Sequence, residues 1–105
     1  MSEILAPDDA RLDALCVRLA ELAPGLDAPE SWPAEQLELC AQAGVFRWFI
    51  GAEWDGLGWS EADLLRGYMK LAAACLTTTF VITQRMGAVS RIAASDNDCV
   101  KRTLL

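Results

Sequence analysis

The sequence predicts an all-α fold, an orthogonal bundle of about five helices forming one domain over residues 1–105. Apolar residues recur at three- and four-residue spacing through nearly the whole chain. Most of these runs open on a Ser, Asp, Asn or Pro start signal. The 105 residues, 53% of them apolar, make one core and not comfortably two. A chain this short and this apolar carries more apolar surface than it can bury alone, which suits packing against something else.

The first helix starts at Asp8 and Asp9, where carboxylates cap free amides and complement the helix dipole. Leu12, Leu15, Leu19 and Leu22 form its apolar face, and Pro24-Gly25 stops it. Residues 24–33 hold three Pro and read as a linker. Pro33 suits the first turn of the second helix, where a missing N–H costs nothing. Leu37, Cys40, Ala41 and Gly44 give that helix a narrow apolar face.

Val45 to Ile50 reads as a short buried extended piece, followed by a Gly-rich turn over 51–58 flanked by Trp54 and Trp59. Ser60-x-x-Asp63 is a capping-box start for the third helix. Its face is Leu64, Leu65, Tyr68, Leu71, Ala72, Cys75 and Leu76, with Asp63, Arg66 and Lys70 opposite. Thr77-Thr78-Thr79 is expected to break or cap, since β-branched Thr is a poor helix former. A fourth helix carries Ile82, Met86, Val89 and Ala93 on one face. Ser95-Asp96-Asn97-Asp98 caps a fifth helix running to Leu105, which has no stop signal and reads as cut off.

The formal net charge is −6, which argues against nucleic-acid binding. The charge is uneven: residues 1–55 carry 3 basic and 11 acidic groups, residues 56–105 carry 6 and 4. There is no His, which removes His general bases, Ser-His and Cys-His pairs and most zinc sites. The Cys at 16, 40, 75 and 99 form no C-x-x-C motif, so no metal site is expected. Each lies in an apolar helical pattern and is expected to be a buried reduced thiol, as suits a cytoplasmic protein. The acidic first ten residues are unlike a signal or transit peptide. The longest uncharged stretch, Leu71 to Gln84, is 14 residues, against about 20 for a membrane span.

Two stretches invite a chemical reading. Gly56-Leu57-Gly58 before a helix has the outline of a phosphate cradle, yet no third Gly or Lys completes a nucleotide motif. A turn needing positive φ explains the glycines better. Glu53 and Asp55 on that turn lack the shielding that general acid–base work requires, and read as surface carboxylates. On the fourth helix Thr79, Thr83, Gly87 and Ser90 make a stripe of small side chains, either a close helix contact or the wall of a ligand cavity. Gln84 and Arg85, mid-helix at the end of the long uncharged run, point to something polar nearby, and a solvated face explains Arg85 as well.

Trp32-Pro33-x-Glu35 is followed by Ala43-Gly44-Val45-Phe46-x-Trp48-x-Ile50. Glu53-x-x-Gly56-Leu57-Gly58-x-Ser60-x-x-Asp63 and Leu71-Ala72-x-Ala74-Cys75 come next. Thr78-Thr79-Phe80, Gln84 and Arg91-Ile92-Ala93-x-Ser95-x-Asn97 complete the series. In this order and spacing the chain from about Asp8 onward resembles the N-terminal helical domain of acyl-CoA dehydrogenases. Gly51 stands where that family commonly has Pro, and Asp55 where it commonly has Gly.

The resemblance implies an FAD-dependent oxidoreductase acting on CH–CH bonds of acyl-CoA thioesters, in fatty acid metabolism. It implies that a middle β domain and a C-terminal helical domain, absent from these 105 residues, supply the catalytic Glu and most flavin contacts. The chain alone is then inactive, and no residue of it is catalytic. Thr79, Thr83, Gln84 and Met86 are implied as lining of the acyl-chain pocket. The implied partners are the acyl-CoA substrate and the remaining domains or subunits, in a homo-oligomer when complete. Acyl-CoA oxidases and flavin monooxygenases share the architecture. The competing expectation is a non-catalytic helical module that binds a partner.

Overall fold

A computed structural model describes residues 3–104, so the expected end of the last helix at Leu105 lies outside the described residues. Five α-helices are present: α1 (Ala10–Leu22), α2 (Ala34–Gln42), α3 (Glu61–Ala74), α4 (Leu76–Ala94) and α5 (Asp98–Leu104). No strand occurs among the described residues.

Local chemistry sets most helix starts. Asp9 caps α1 by accepting from the Arg11 amide at 2.9 Å, and its carboxylate also holds the Arg11 guanidinium. Those hydrogen bonds hold the Asp9 carboxyl far below the ordinary carboxylate value. Ser60 caps α3 by accepting from the Asp63 amide at 3.2 Å, and Asn97 caps α5 by accepting from the Val100 amide at 3.0 Å. Gly44 closes α2 in the left-handed region at φ 81°.

α1 packs on α2 and α3, and α3 packs on α4. Leu12, Leu15, Leu19, Cys40, Val45, Trp48, Leu71 and Ile82 meet in the core with Ile4. Gln36 is also buried. Its Nε2 donates to the Leu22 carbonyl at 3.4 Å, so one side chain of α2 ties the C-terminal end of α1.

Several expectations are corrected. Residues 24–27 are part of a 3₁₀ helix spanning Ala23–Asp27, because Pro24 is tolerated at a helix start. Val45–Arg47 is a 3₁₀ turn rather than an extended piece, since Gly44 turns the chain sharply just before it. Ala41 is exposed and its place in the α2 interface goes to Gln36 and Ala43.

The break between α3 and α4 falls at Cys75, at φ −156° and ψ 97°, and the Thr run enters the first turn of α4. There the hydroxyls find local partners: Thr79 Oγ1 donates to the Cys75 carbonyl at 3.0 Å, and Thr78 Oγ1 meets Cys75 Sγ at 3.1 Å. Leu65 and Leu76 are exposed, because the wide apolar arc of the predicted third helix exceeds what α1 and α4 cover. Cys40 and Cys75 are buried and Cys16 partly so, whereas Cys99 is exposed on the short α5. Burial pushes the Cys40 thiol up to about 12.

Between α2 and α3 the chain forms a loop whose ends are tied by Leu57 N–H to Arg47 O, Trp59 N–H to Trp48 O and Gly58 N–H to Ile50 O, each 2.8 Å. Asp55 and Gly58 take the left-handed region at φ 62° and 60°, so the turn does need positive φ. Asp tolerates that region better than most residues, which fits Asp55 standing where Gly would be expected. Inside the loop Trp48 is fully buried and stacks on Trp59 at 4.3 Å with an 11° interplanar angle. Both rings press on Gly67 of α3. A Cβ there would lie 2.6 Å from Trp48 Cζ3 and 3.1 Å from Trp59 Cζ3.

Candidate functional site

The four residues expected to line a pocket all lie on α4. At 100° per residue, Thr79, Thr83 and Met86 fall within roughly 60° of one another, and Gln84 stands about 140° from Thr79. Thr79 is buried, Thr83 and Met86 are half-buried, and Gln84 is exposed. The helix therefore groups three of the four and turns Gln84 outward. Thr83 Oγ1 donates to the Phe80 carbonyl at 2.8 Å, and Thr79 Oγ1 to the Cys75 carbonyl. Each hydroxyl has spent its proton on its own backbone, leaving only lone pairs for a ligand. Further along the stripe, Gly87 has nothing within 4 Å of where its Cβ would be. Close helix packing within this chain thus does not explain Gly87.

Arg85 belongs to the interior edge rather than to a solvated face. Its Nη1 donates to the Phe46 carbonyl at 3.0 Å, and the guanidinium lies 4.9 Å from the Phe46 ring centroid and 6.0 Å from that of Phe49. It makes no ion pair among the described residues, and burial draws its pKa down. It pins the tied loop to α4, a role the sequence signals only through the Phe46-x-x-Phe49 pair and the absence of a carboxylate in α4. Beneath the loop, Trp48 Nε1, Trp59 Nε1 and the Tyr68 hydroxyl are buried without a hydrogen-bond partner among the described residues. Burial pushes the Tyr68 phenol up to about 12.

Two cavities are described. The larger, about 500 Å³, runs along α3 between Asp63, Arg66, Met69 and Lys70 on one wall and Ala6, Pro7 and Asp8 on the other. Its two cations are already engaged: Lys70 Nζ donates to the Pro7 carbonyl at 2.9 Å and to Asp13 at 3.2 Å, and Arg66 pairs with Asp63 at 3.6 Å. The smaller, about 90 Å³, lies between the Gly-rich turn and α4, against Phe49, Trp54 and Val89. None of Thr79, Thr83, Gln84 and Met86 lines either cavity. Glu53 and Asp55 are exposed, as surface turn carboxylates should be.

The flavin implied by the resemblance does not fit the described residues alone. The smaller cavity holds roughly three waters' volume. The larger sets the Asp8 and Asp63 carboxylates where a diphosphate would want free cations. Among the described residues no cluster of three or more His, Cys, Asp or Glu is placed to hold a metal ion, and no helix is long and apolar enough to cross a membrane. No protein-family model, curated protein or solved structure matches the chain.

Proposed function

We propose that this chain is the N-terminal helical domain of an FAD-dependent acyl-CoA dehydrogenase-like oxidoreductase, built as an orthogonal bundle and contributing part of an acyl-chain pocket. One observation supports the reading above the others. Pieces of the resemblance fall at structural joints: Pro33 before α2, Gly44 after it, the tied loop through Gly58, the Ser60 cap, the Cys75 junction and the Asn97 cap. In this reading the Thr79, Thr83 and Met86 face meets the acyl chain and Gln84 stands at its margin. The flavin, the proton-abstracting Glu and the contacts of a homo-oligomer come from the remaining domains or subunits, in the cytoplasm.

The 105-residue chain purified alone is then colourless and inactive on acyl-CoA thioesters. Stoichiometric flavin absorbance on that chain refutes the division of labour. The pocket itself is tested in the complete flavoprotein by Thr83→Leu across acyl-CoA substrates of increasing length. A pocket wall gives a selective loss for long chains of roughly 10–200-fold in kcat/KM at unchanged melting temperature. A uniform loss with lowered stability returns Thr83 to helix packing.

The second reading, a non-catalytic module that binds a partner, draws on exposure. Leu65, Met69, Leu76 and Phe80 are each more than half exposed. A longer natural polypeptide carrying a β domain and flavin favours the first reading; a 105-residue product without flavin favours the second.

A further inference from the structure

The smaller cavity, between the Gly-rich turn and α4, has a wall of one sign. Glu53 is the only charged side chain on it, beside the Phe49 and Trp54 rings and the Ser90 hydroxyl. The Glu53 carboxylate lies back over Gly51, where a Cβ would stand 2.5 Å from each of its oxygens. Asp55, two positions on, has the Arg47 guanidinium at 3.9 Å. The Glu53 carboxylate and the Ser90 hydroxyl make no hydrogen bond or ion pair among the described residues. Trp54 is half-buried, and its ring packs on no other aromatic ring among them.

A carboxylate without a cation, set beside an open aromatic face in a recess, suits an organic ammonium group. We propose that this cavity binds a primary alkylammonium group, the end of a small amine or of a lysine side chain. Glu53 accepts N–H bonds and supplies the counter-charge, Ser90 Oγ offers a further acceptor, and the Trp54 face lies along the cation. Phe49 serves as apolar wall, because the Arg85 guanidinium already lies 6.0 Å from its ring centroid. A carboxylate or phosphate would find no cation on this wall, since Arg85 is not part of it. One carboxylate is also too few oxygens for Ca²⁺ or Mg²⁺.

Size narrows the ligand further. About 90 Å³ is roughly three waters' volume, room for the nitrogen and two carbons. Three non-hydrogen atoms at the highest ligand efficiencies bind no more tightly than about 0.5 mM, and the positive charge of Arg85 nearby weakens this. The site shares no residue with the Thr79, Thr83 and Met86 face, and the inference does not rest on the flavoenzyme reading.

Ethylammonium chloride titrated from roughly 0.5 to 100 mM into the isotope-labelled full chain tests it, against sodium chloride at equal ionic strength. The Trp54 indole N–H resonance, assigned by its loss in Trp54→Phe, should shift saturably with ethylammonium alone. Glu53→Gln removes the charge. Gly51→Ala displaces the carboxylate and suits its backbone, which lies at φ −63° and ψ 156°. Each should weaken binding about tenfold or more at unchanged melting temperature. Lysine capped at both backbone ends separates the sources: saturable binding of it as well admits a lysine side chain, and binding of ethylammonium alone assigns a free amine. No saturable shift beyond the sodium control, or equal affinity in Glu53→Gln, overturns the site. Full binding in Gly51→Ala overturns the placing of its carboxylate.

Discussion

Gly67→Ala and Gly87→Ala are the same substitution in neighbouring helices, and the structure assigns them opposite signs. Removing Gly from a helix interior stabilises by about 0.5–1 kcal/mol, chiefly through unfolded-state entropy. At Gly87 nothing opposes that gain, because the new methyl meets open space. At Gly67 the methyl lands 2.6 Å from Trp48 Cζ3, 3.1 Å from Trp59 Cζ3 and 3.2 Å from Trp48 Cε3. Trp48 cannot step aside. It is fully buried, stacked on Trp59 on one side and tilted against Tyr68 at 5.6 Å. Overpacking of this kind costs about 1–3 kcal/mol, and larger values follow if the Trp pair separates. The net loss at Gly67 is about 1–2 kcal/mol, a fall in melting temperature of roughly 4–16 °C for a chain of this size. Urea denaturation of dilute protein measures both variants against the parent. If Gly67→Ala is as stable as the parent, α3 does not seat the Trp pair as described, and the account of the core is wrong.

Four further outcomes follow from the caps, the thiols and the Tyr68 phenol. Ser60→Ala should cost about 1 kcal/mol, the usual loss of an N-cap, measured by thermal melting; no change moves the start of α3 elsewhere. The Asp9 carboxyl titrates well below its ordinary 3.8 in the folded chain, so its contribution is full above that value and fades as pH falls toward the lower one. Asp9→Asn should flatten the acid limb of a stability-against-pH curve, and an unchanged limb refutes the cap. At the alkaline end the sign reverses. The Cys40 thiol, ordinarily 9.0, and the Tyr68 phenol, ordinarily 10.0, are both pushed up to about 12, so stability is full below those ordinary values and falls as pH rises toward 12. Thiol labelling of the native chain near pH 8 should modify Cys99 first and Cys16 slowly, with Cys40 and Cys75 reacting only on unfolding; early labelling of Cys40 contradicts its burial.

Elements with one clean apolar stripe and a polar capping residue were legible in the sequence. α1 is the clearest case, with Leu12, Leu15 and Leu19 buried and Asp9 as its cap, and Ser60 and Asn97 likewise mark α3 and α5. α3 was legible as a helix but not in its orientation. Its apolar arc is so wide that only tertiary contact decides that Leu71 goes in and Leu65 stays out. The α3–α4 junction was misplaced because the bend is one residue in extended conformation, Cys75, with neither Gly nor Pro to announce it. At the candidate site, periodicity put Thr79 and Thr83 on one stripe and Met86 on the Ile82 face, and spacing says nothing about where a hydroxyl proton goes. For Arg85 the sequence left a polar neighbour and a solvated face both open, because its partners, a carbonyl and two ring faces, lie some forty residues away.

The loop tied at Arg47, Trp48 and Ile50 has a bearing on the order of folding. Its closing contacts join residues only eight to eleven apart, among the most local tertiary contacts outside the helices. Loops of about ten residues close in roughly 10–100 ns, far ahead of the pairing of α1 with α3 across some fifty residues. The indole stack is then an early event, and the changed surroundings of its rings make it an optical clock for loop closure. A rapid-mixing experiment should find tryptophan emission from the pair changing before thiol protection of Cys40 develops. Simultaneous changes would instead mean that the loop has no structure of its own until α3 arrives beneath it.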